Sequence, residues 1–292
     1  MRSVEELIDL DLDYYRENNV DLATFTDQEL ITHYFDHGYR EGRASSGLAT
    51  RDNFISDLMG SRVLEIGPFC SPTIVGEHVE YADHLSSEEL RNRARELNMD
   101  PSNVPDIKHV LRSGSLSGIT DSYDVVFSSH NLEHQPDIVG HLNEVSSILV
   151  PGGRFGLIVP NALYCFDARL PLSKISDVLE AFHEGRRTHT LGAVVDHRAL
   201  TTHNDSGVHW EERLSGKQQY VPIDTAKVAA ALREFEAARG AYIDVHGWQF
   251  DPLSLSDIVN CLIDLRIINF TSVRCHGPVR GTNEFTITLY KG

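Results

Sequence analysis

The sequence is short of the features that would commit it to several common roles. It has four cysteines in 292 residues, Cys70, Cys165, Cys261 and Cys275, and no Cys-x-x-Cys pair. That spacing excludes a disulfide framework or a cysteine zinc site and suits reduced thiols. Positive charge is scarce, with 26 Lys and Arg against 43 Asp and Glu and a net charge of −17. A nucleic-acid partner is therefore not expected, because such binding rests on neutralising phosphates. The pair Arg186-Arg187 is either a solvated helix end or a hold for a phosphate on the substrate. No apolar run approaches the roughly 20 residues that a membrane helix needs. The first residues, Met1 to Glu6, lack the basic and apolar pattern of a signal peptide. The expectation is a cytoplasmic chain with no transmembrane segment.

What is present is an ordinary globular composition, 41% hydrophobic and 24% charged. Short apolar runs alternate with helical periodicity. Strands are expected near 62–67, 78–83, 107–112, 123–129 and 154–159. Helices are expected near 50–60, 86–97 and 137–149, then 224–239 and 253–265. Such alternation predicts a parallel sheet with helices on both faces. The turn Pro151-Gly152-Gly153 should end the helix after 149 and release the next strand. Two last strands, 267–275 and 284–290, are joined by a Gly-Pro-containing loop and should pair as an antiparallel hairpin.

The chain is organised around Arg62-Val63-Leu64-Glu65-Ile66-Gly67-Pro68. The apolar run reads as a strand buried on both faces, and Gly-Pro stops it. Ligands of open α/β sheets bind at the carboxyl ends of the strands. Asp83 ends the second strand at the distance where a nucleotide-binding sheet sets an acid against the ribose hydroxyls. A carboxylate accepts two hydrogen bonds from a vicinal diol. The glycines of a dinucleotide fingerprint are missing after Gly67, so the edge suits an adenosine without a diphosphate. An NAD-dependent sugar enzyme is correspondingly disfavoured.

Four segments together resemble the motifs of Rossmann-like S-adenosylmethionine-dependent methyltransferases, in order and rough spacing. They are Leu64-Glu65-Ile66-Gly67-Pro68, Asp83, Asp124 to His134, and Leu149-Val150-Pro151-Gly152-Gly153-Arg154. The resemblance covers about 62–161, and the final hairpin fits it too. It departs in the loop Pro68-Phe69-Cys70-Ser71-Pro72, which replaces the usual Gly-x-Gly. The resemblance implies S-adenosyl-L-methionine as cofactor. It implies contacts from Glu65, Gly67, Pro68, Ser71, Asp83, His84, Gly114, Ser115, Leu116, Ser129 and His130. Glu65 is either a ligand for the methionine amine or an acid capping its own turn.

The fold expected is α/β: a Rossmann-like parallel sheet with a C-terminal antiparallel hairpin strand, a small N-terminal helical module over 1–48 and a long insertion after the fifth strand. The methyltransferase domain would be 49–292 and the insertion 160–222. In the module Thr26 should cap a helix with Glu29 three residues on. Leu12-Asp13-Tyr14-Tyr15 and His33 to Arg43 resemble a short module of bacterial glycan-assembly proteins. Asp244-Val245-His246-Gly247-Trp248-Gln249-Phe250 resembles a pattern of glycan-linked methyltransferases. Together they imply a carbohydrate or glycan-linked acceptor, methylated on a hydroxyl. The module itself would contact a glycan-assembly partner or a second copy. The alternative is a non-catalytic cofactor-binding or interaction module.

Methyl transfer to a sugar hydroxyl requires alignment and a base within hydrogen-bond reach. His130, His134 and His197 are the candidate bases, and Asp167 would orient the acceptor or act as base itself. Asp244, His246 and Trp248 would share one face if their stretch is extended. Trp248 would stack on a sugar or lie in the core. A metal site in the histidine-containing insertion stays open, since no ligand spacing matches a known pattern.

Overall fold

The computed structural model describes residues 2–60, 62–216 and 221–292. Its centre is a seven-stranded sheet in the order β3-β2-β1-β4-β5-β7-β6. The strands are β1 Val63–Ile66, β2 Val79–Asp83, β3 His109–Val110, β4 Tyr123–Ser129, β5 Leu149–Pro160, β6 Ser272–Cys275 and β7 Glu284–Tyr290. β1 pairs in parallel with β2 and β4, and β4 with β5. β7 enters antiparallel between β5 and β6. This is the parallel sheet closed by a hairpin that the strand pattern predicts.

All four residues of β1 are buried, as a strand covered on both faces requires. Leu64, Ile66, Val126, Phe155, Leu157 and Val159 belong to the larger core on one face. Val63, Val125, Phe127 and Ile158 pack with Phe54 and Leu58 on the other. Phe54 and Leu58 come from α4 (Arg51–Leu58), which follows α1 (Leu12–Glu17), α2 (Asp27–His33) and the short α3 (Tyr39–Glu41). Leu58 reaches Gly156 so closely that a side chain there would collide with it.

The helix starts follow their capping chemistry. Thr26 accepts from Glu29 N–H and Glu29 returns the bond to Thr26 N–H, opening α2 as expected. Ser86 and Glu89 do the same for α5 (Ser87–Glu96). Asp137 caps α6 (Ile138–Ile148), and Asp251 with Pro252 at the first position starts α11 (Pro252–Asp264).

Three expectations differ in detail. The strand expected near 107–112 is only the two residues His109–Val110. Pro151-Gly152-Gly153 lies inside β5 rather than ahead of it. β4 and β5 pair at Tyr123 with Leu149 and again at Val125 with Arg154, so the turn is looped out as an irregularity in one long strand. The last hairpin is shorter than read, because residues 267–271 bend before β6 begins at Ser272.

The N-terminal helices pack onto the sheet rather than away from it. Tyr15, Leu22, Leu30 and Tyr34 join the larger core. Asp9 N–H donates to Cys275 O at 2.7 Å, and Ser46 Oγ meets His276 Nδ1 at 2.8 Å. After β5 the chain forms α7 (Ile175–Glu184), α8 (Leu191–Val195), α9 (Ser206–Ser215) and α10 (Thr225–Ala238). Trp210 of α9 stacks on Tyr164 at 3.7 Å between ring centres and donates to Thr282 O, which ties the insertion to the β6–β7 loop. Among the described residues no helix is long and apolar enough to cross a membrane.

Candidate functional site

The register of β2, β1 and β4 places Asp83, Gly67 and Ser129 at one level along the carboxyl ends of the strands. Gly67 has φ +72°, and a Cβ there would lie 2.8 Å from Asn131 Nδ2. Glycine is thus required twice, by the left-handed turn and by the close approach of the next loop. Pro68 is buried, and Ser71 is exposed with its N–H turned back to Pro68 O. Asp83 is 4% exposed and faces the loop after β1. Its carboxylate meets Phe69 N–H at 3.4 Å, Leu85 N–H at 3.2 Å and His84 Nδ1 at 2.9 Å. Hydrogen bonding to that carboxylate raises the His84 pKa above the ordinary imidazole value.

Glu65 lies between its two expected roles. Its carboxylate accepts from Thr73 N–H at 2.8 Å and from Ile74 N–H at 3.0 Å, so it ties down the loop that carries Ser71. Burial raises its pKa although these bonds oppose the shift. Beyond β3, Gly114 is exposed with φ +75°. Ser115 Oγ and Leu116 N–H both donate to Glu144 of α6, at 2.7 and 2.8 Å, and the Leu116 side chain is in the core. Ser129 Oγ accepts from Arg51 at 3.1 Å.

His130 follows β4 directly, with φ +49°, a conformation uncommon outside glycine and worth a reason. Its Nε2 lies 2.8 Å from Glu284 Oε2, and Arg51 holds the same oxygen at 2.9 Å. Its Nδ1 lies 3.9 Å from Glu133 Oε1. Burial would raise the Glu284 pKa, but His130 and Arg51 outweigh it and hold the carboxyl low.

Behind His130 the structure brings together residues from three distant stretches. Glu133 is wholly buried, and neither of its carboxylate oxygens has a hydrogen-bond partner. Two imidazoles point at its Oε1: His134 Nε2 and His246 Nε2, each at 3.8 Å. The far nitrogen of each ring is held by an acid. His246 Nδ1 lies 2.7 Å from Asp167 Oδ2, and His134 Nδ1 lies 2.9 Å from Asp244 Oδ1, though off the hydrogen-bond direction. Burial disfavours the His134 cation, yet Asp244, Glu133 and Asp167 together raise its pKa. The contact with His134 drives the Asp244 pKa well below the carboxylate range.

His197 adjoins this group without facing its centre. Its Nδ1 accepts from His246 N–H at 3.0 Å, so the ring proton sits on Nε2. Burial and the neighbouring His246 push its pKa down to about 4. A neutral ring with its acceptor nitrogen engaged is a positioning group for the backbone of His246. His189 supports the other side, with Nε2 3.1 Å from His134 O, and burial lowers its pKa to about 4. A Cβ on Gly247 would lie 2.5 Å from His189 Nδ1, so any side chain there would push the His189 ring aside.

Sequence reasoning placed His130, His134, Asp167 and His197 on the acceptor side but passed over Glu133 and His246 as site residues. Glu133 stood within the Asp124–His134 segment. His246 stood in the stretch expected to put Asp244 and His246 on one face. That stretch is not a strand here, yet both side chains reach the cluster. Trp248 is a core residue: it is buried, stacks on Phe250 and donates to Gln135 O at 2.6 Å.

A cavity of about 330 Å³ opens beside the cluster, lined by Lys174, Arg186, His189, Gly247, Trp248 and Gln249 among others. Arg186 is largely neutralised there by Glu184 at 2.8 Å. A larger hollow of about 630 Å³ runs along α9 and reaches none of these groups.

The edge has what a bound adenosine with a sulfonium tail asks for: a glycine where a side chain would intrude, and a buried strand-end carboxylate within reach of a diol. Residues 81–157, from β2 into β5, match the family model described as a methyltransferase domain. No curated protein matches the sequence. Among solved structures the chain is similar to the CcbJ methyltransferase of Streptomyces caelestis, at 20% identity over 46% of this chain and 56% of that one, with a TM-score of 0.28. It is similar to the CurJ carbon methyltransferase at 13% identity over 82% and 52%, with a TM-score of 0.37. It is also similar to the YcgJ protein of Bacillus subtilis, at 16% identity over 82% and 97%, with a TM-score of 0.33. The chain spans roughly half to three fifths of the length of the first structures it resembles, between 52% and 61%. The stretch from β2 into β5 is thus similar to a methyltransferase domain.

Proposed function

We propose that the chain methylates a hydroxyl of a sugar, in a bacterial surface glycan or its precursor. The observation that carries this reading is His130, held in a left-handed conformation between the strand-end edge and the buried Glu133, with its Nε2 fixed by Glu284. Bound S-adenosylmethionine supplies a methyl group on a sulfonium. Asp83 grips the ribose diol, and Gly67 leaves room beside it. Glu65 holds the loop over 68–74 in place from below. Ser71, His84, Gly114, Ser115, Leu116 and Ser129 shape the rest of the cofactor's surroundings.

The acceptor hydroxyl must lose its proton as the new bond forms, and a sugar hydroxyl does not give it up to water at neutral pH. His130 takes that proton at Nδ1, while the Glu284 carboxylate keeps the ring in the needed tautomer and offsets its developing charge. Asp167 acts through His246, and His197 through the backbone of the same residue, so both are positioning residues. His134 and Glu133 border the acceptor.

The choice of a sugar is supported by the likeness of 12–15 and 33–43 to a glycan-assembly module and by the polar lining of the cavity beside His189. The module over 1–48 would serve as the contact to that assembly or to a second copy. Titration calorimetry of the whole chain with S-adenosylmethionine and with NAD tests the cofactor, and labelled methyl transfer to a panel of sugars and nucleotide sugars tests the acceptor. Binding of the first ligand alone, with transfer lost in His130→Ala and kept in Asp121→Asn, is the expected result. Binding without transfer to any acceptor would favour a non-catalytic module, and transfer unaffected by His130→Ala would remove the base assigned here.

A further inference from the structure

Glu133 poses a problem that methyl transfer does not solve. An ionised carboxylate with no exposure and no hydrogen bond is costly to bury. Buried charges are paired or coordinate metals. Among the described residues no Lys or Arg pairs with it, and the nearest nitrogens, those of histidines, stand at 3.8 Å, too far for a hydrogen bond. We infer that Glu133, His134 and His246 hold a divalent transition-metal ion.

Three features of the geometry support the assignment. First, the ligand atoms lie within 4.8 Å of one another, with both imidazole nitrogens 3.8 Å from Glu133 Oε1. An ion held at about 2.0–2.2 Å by nitrogen and carboxylate oxygen fits between atoms 3.8 Å apart. Second, both imidazoles turn Nε2 towards Glu133 and have a carboxylate beside Nδ1: His246 is hydrogen-bonded to Asp167 at 2.7 Å, and His134 lies 2.9 Å from Asp244 off the hydrogen-bond direction. That arrangement fixes tautomer and ring direction in metal-binding histidines. Third, His134 keeps a quarter of its side chain exposed, at 25%, which gives the ion a way in.

Two nitrogens and one carboxylate suit zinc and neighbouring first-row ions better than magnesium or calcium, which prefer oxygen. Three protein ligands leave a position open. If the acceptor hydroxyl described above fills it, the ion lowers that oxygen's pKa; this role rests on the methyltransferase reading, whereas the binding site does not.

The other acid and histidine groups are engaged through at least one atom each. Asp167 Oδ2 and His197 Nδ1 are held by His246 through its ring and its backbone N–H. Glu80 and Asp121 are both paired with Lys108. His209 donates to His203 O, whose own ring accepts from Asp205 N–H.

The test uses the whole chain stripped with a chelator and titrated with zinc chloride by calorimetry, without cofactor. One ion per chain is expected, together with a rise in melting temperature. Glu133→Gln, nearly isosteric, should weaken zinc at least tenfold, and His246→Gln about a hundredfold, while Asp121→Asn leaves both stoichiometry and affinity unchanged. Circular dichroism checks that each variant folds. Cobalt added to the unaltered chain should give visible d–d bands that zinc abolishes, a readout independent of any variant. Absence of a bound ion and of the cobalt bands overturns the site. So does zinc binding that survives Glu133→Gln and His246→Gln, or that disappears in Asp121→Asn. Cofactor binding is measured separately, so a failed metal site leaves the methyltransferase reading standing, and the reverse.

Discussion

The strand-end edge and the histidine cluster solve the problem of buried carboxylates in opposite ways. At the edge every acid is occupied by the protein itself. Glu65 holds the amides of Thr73 and Ile74, and Asp83 holds those of Phe69 and Leu85 with the His84 ring. In the cluster Glu133 has no hydrogen bond, and Asp167 leaves Oδ1 without one. The edge is a frame that stands before any ligand arrives. The cluster carries an unmet demand for positive charge, and such a demand persists only if something answers it or the rest of the fold holds it in place.

The largest effect expected from breaking this contrast is at Asp83. Hydrogen bonds to a charged group contribute about 1.5–3 kcal/mol each, so Asp83→Ala should weaken S-adenosylmethionine by on the order of tenfold to a hundredfold. Calorimetry decides it, and an unchanged dissociation constant would mean that position 83 does not face the cofactor. Next is Asp167→Asn. It keeps the volume but weakens the grip on His246 Nδ1, and loss of such an orienting partner costs roughly ten- to a hundredfold in metal affinity or turnover. If both zinc binding and methyl transfer are retained in full, Asp167 is not orienting His246, and the cluster is less coupled than its 2.7 Å contact implies.

How much of this was legible in the sequence follows from how local each signal is. The strand run 63–66, the cap at Thr26 and the helix start at Asp137 depend on neighbours within a few residues, and they appear where periodicity and capping place them. That Asp83 and Gly67 lie at one strand-end edge was legible because a glycine turn and a strand-end acid are set by two neighbouring strands and the loop between them. The cluster was not, because Glu133, Asp167 and His246 come from three segments joined only by the fold. The flanking residues misled as well. His197 looks like a base beside Asp196, yet its acceptor nitrogen is taken by the backbone of His246. The bulge in β5 went unread since Pro-Gly-Gly signals a turn equally well inside a strand pair or before one.

A smaller effect tests the rigidity of the edge itself. Gly67→Ala places a Cβ in the left-handed region and 2.8 Å from Asn131 Nδ2. The backbone term alone is about 1–2 kcal/mol, and Asn131 must turn aside as well. Urea unfolding should show a loss of that size; a change below about 0.5 kcal/mol, the scatter of unremarkable surface substitutions, would mean the turn is not held as described.

The smallest effect separates both regions from the core beneath them. His141 on α6 is buried against Phe155, and burial lowers its pKa to about 4. In the unfolded chain it titrates near 6.5. The folded state therefore binds fewer protons than the unfolded state between these values, and stability falls as pH drops through that window. Between about pH 7 and 5.5 this one ring should remove roughly 1 kcal/mol. His141→Leu keeps an apolar group against Phe155 and removes the titration, so its unfolding free energy should decline less over that range than that of the unaltered chain. His189 and His197 have similarly lowered values and remain in the variant, so the acid limb should flatten by one ring's share and not vanish. An unchanged slope would mean that His141 keeps access to water in the folded state, and α6 would then pack more loosely on β5 than its buried face requires.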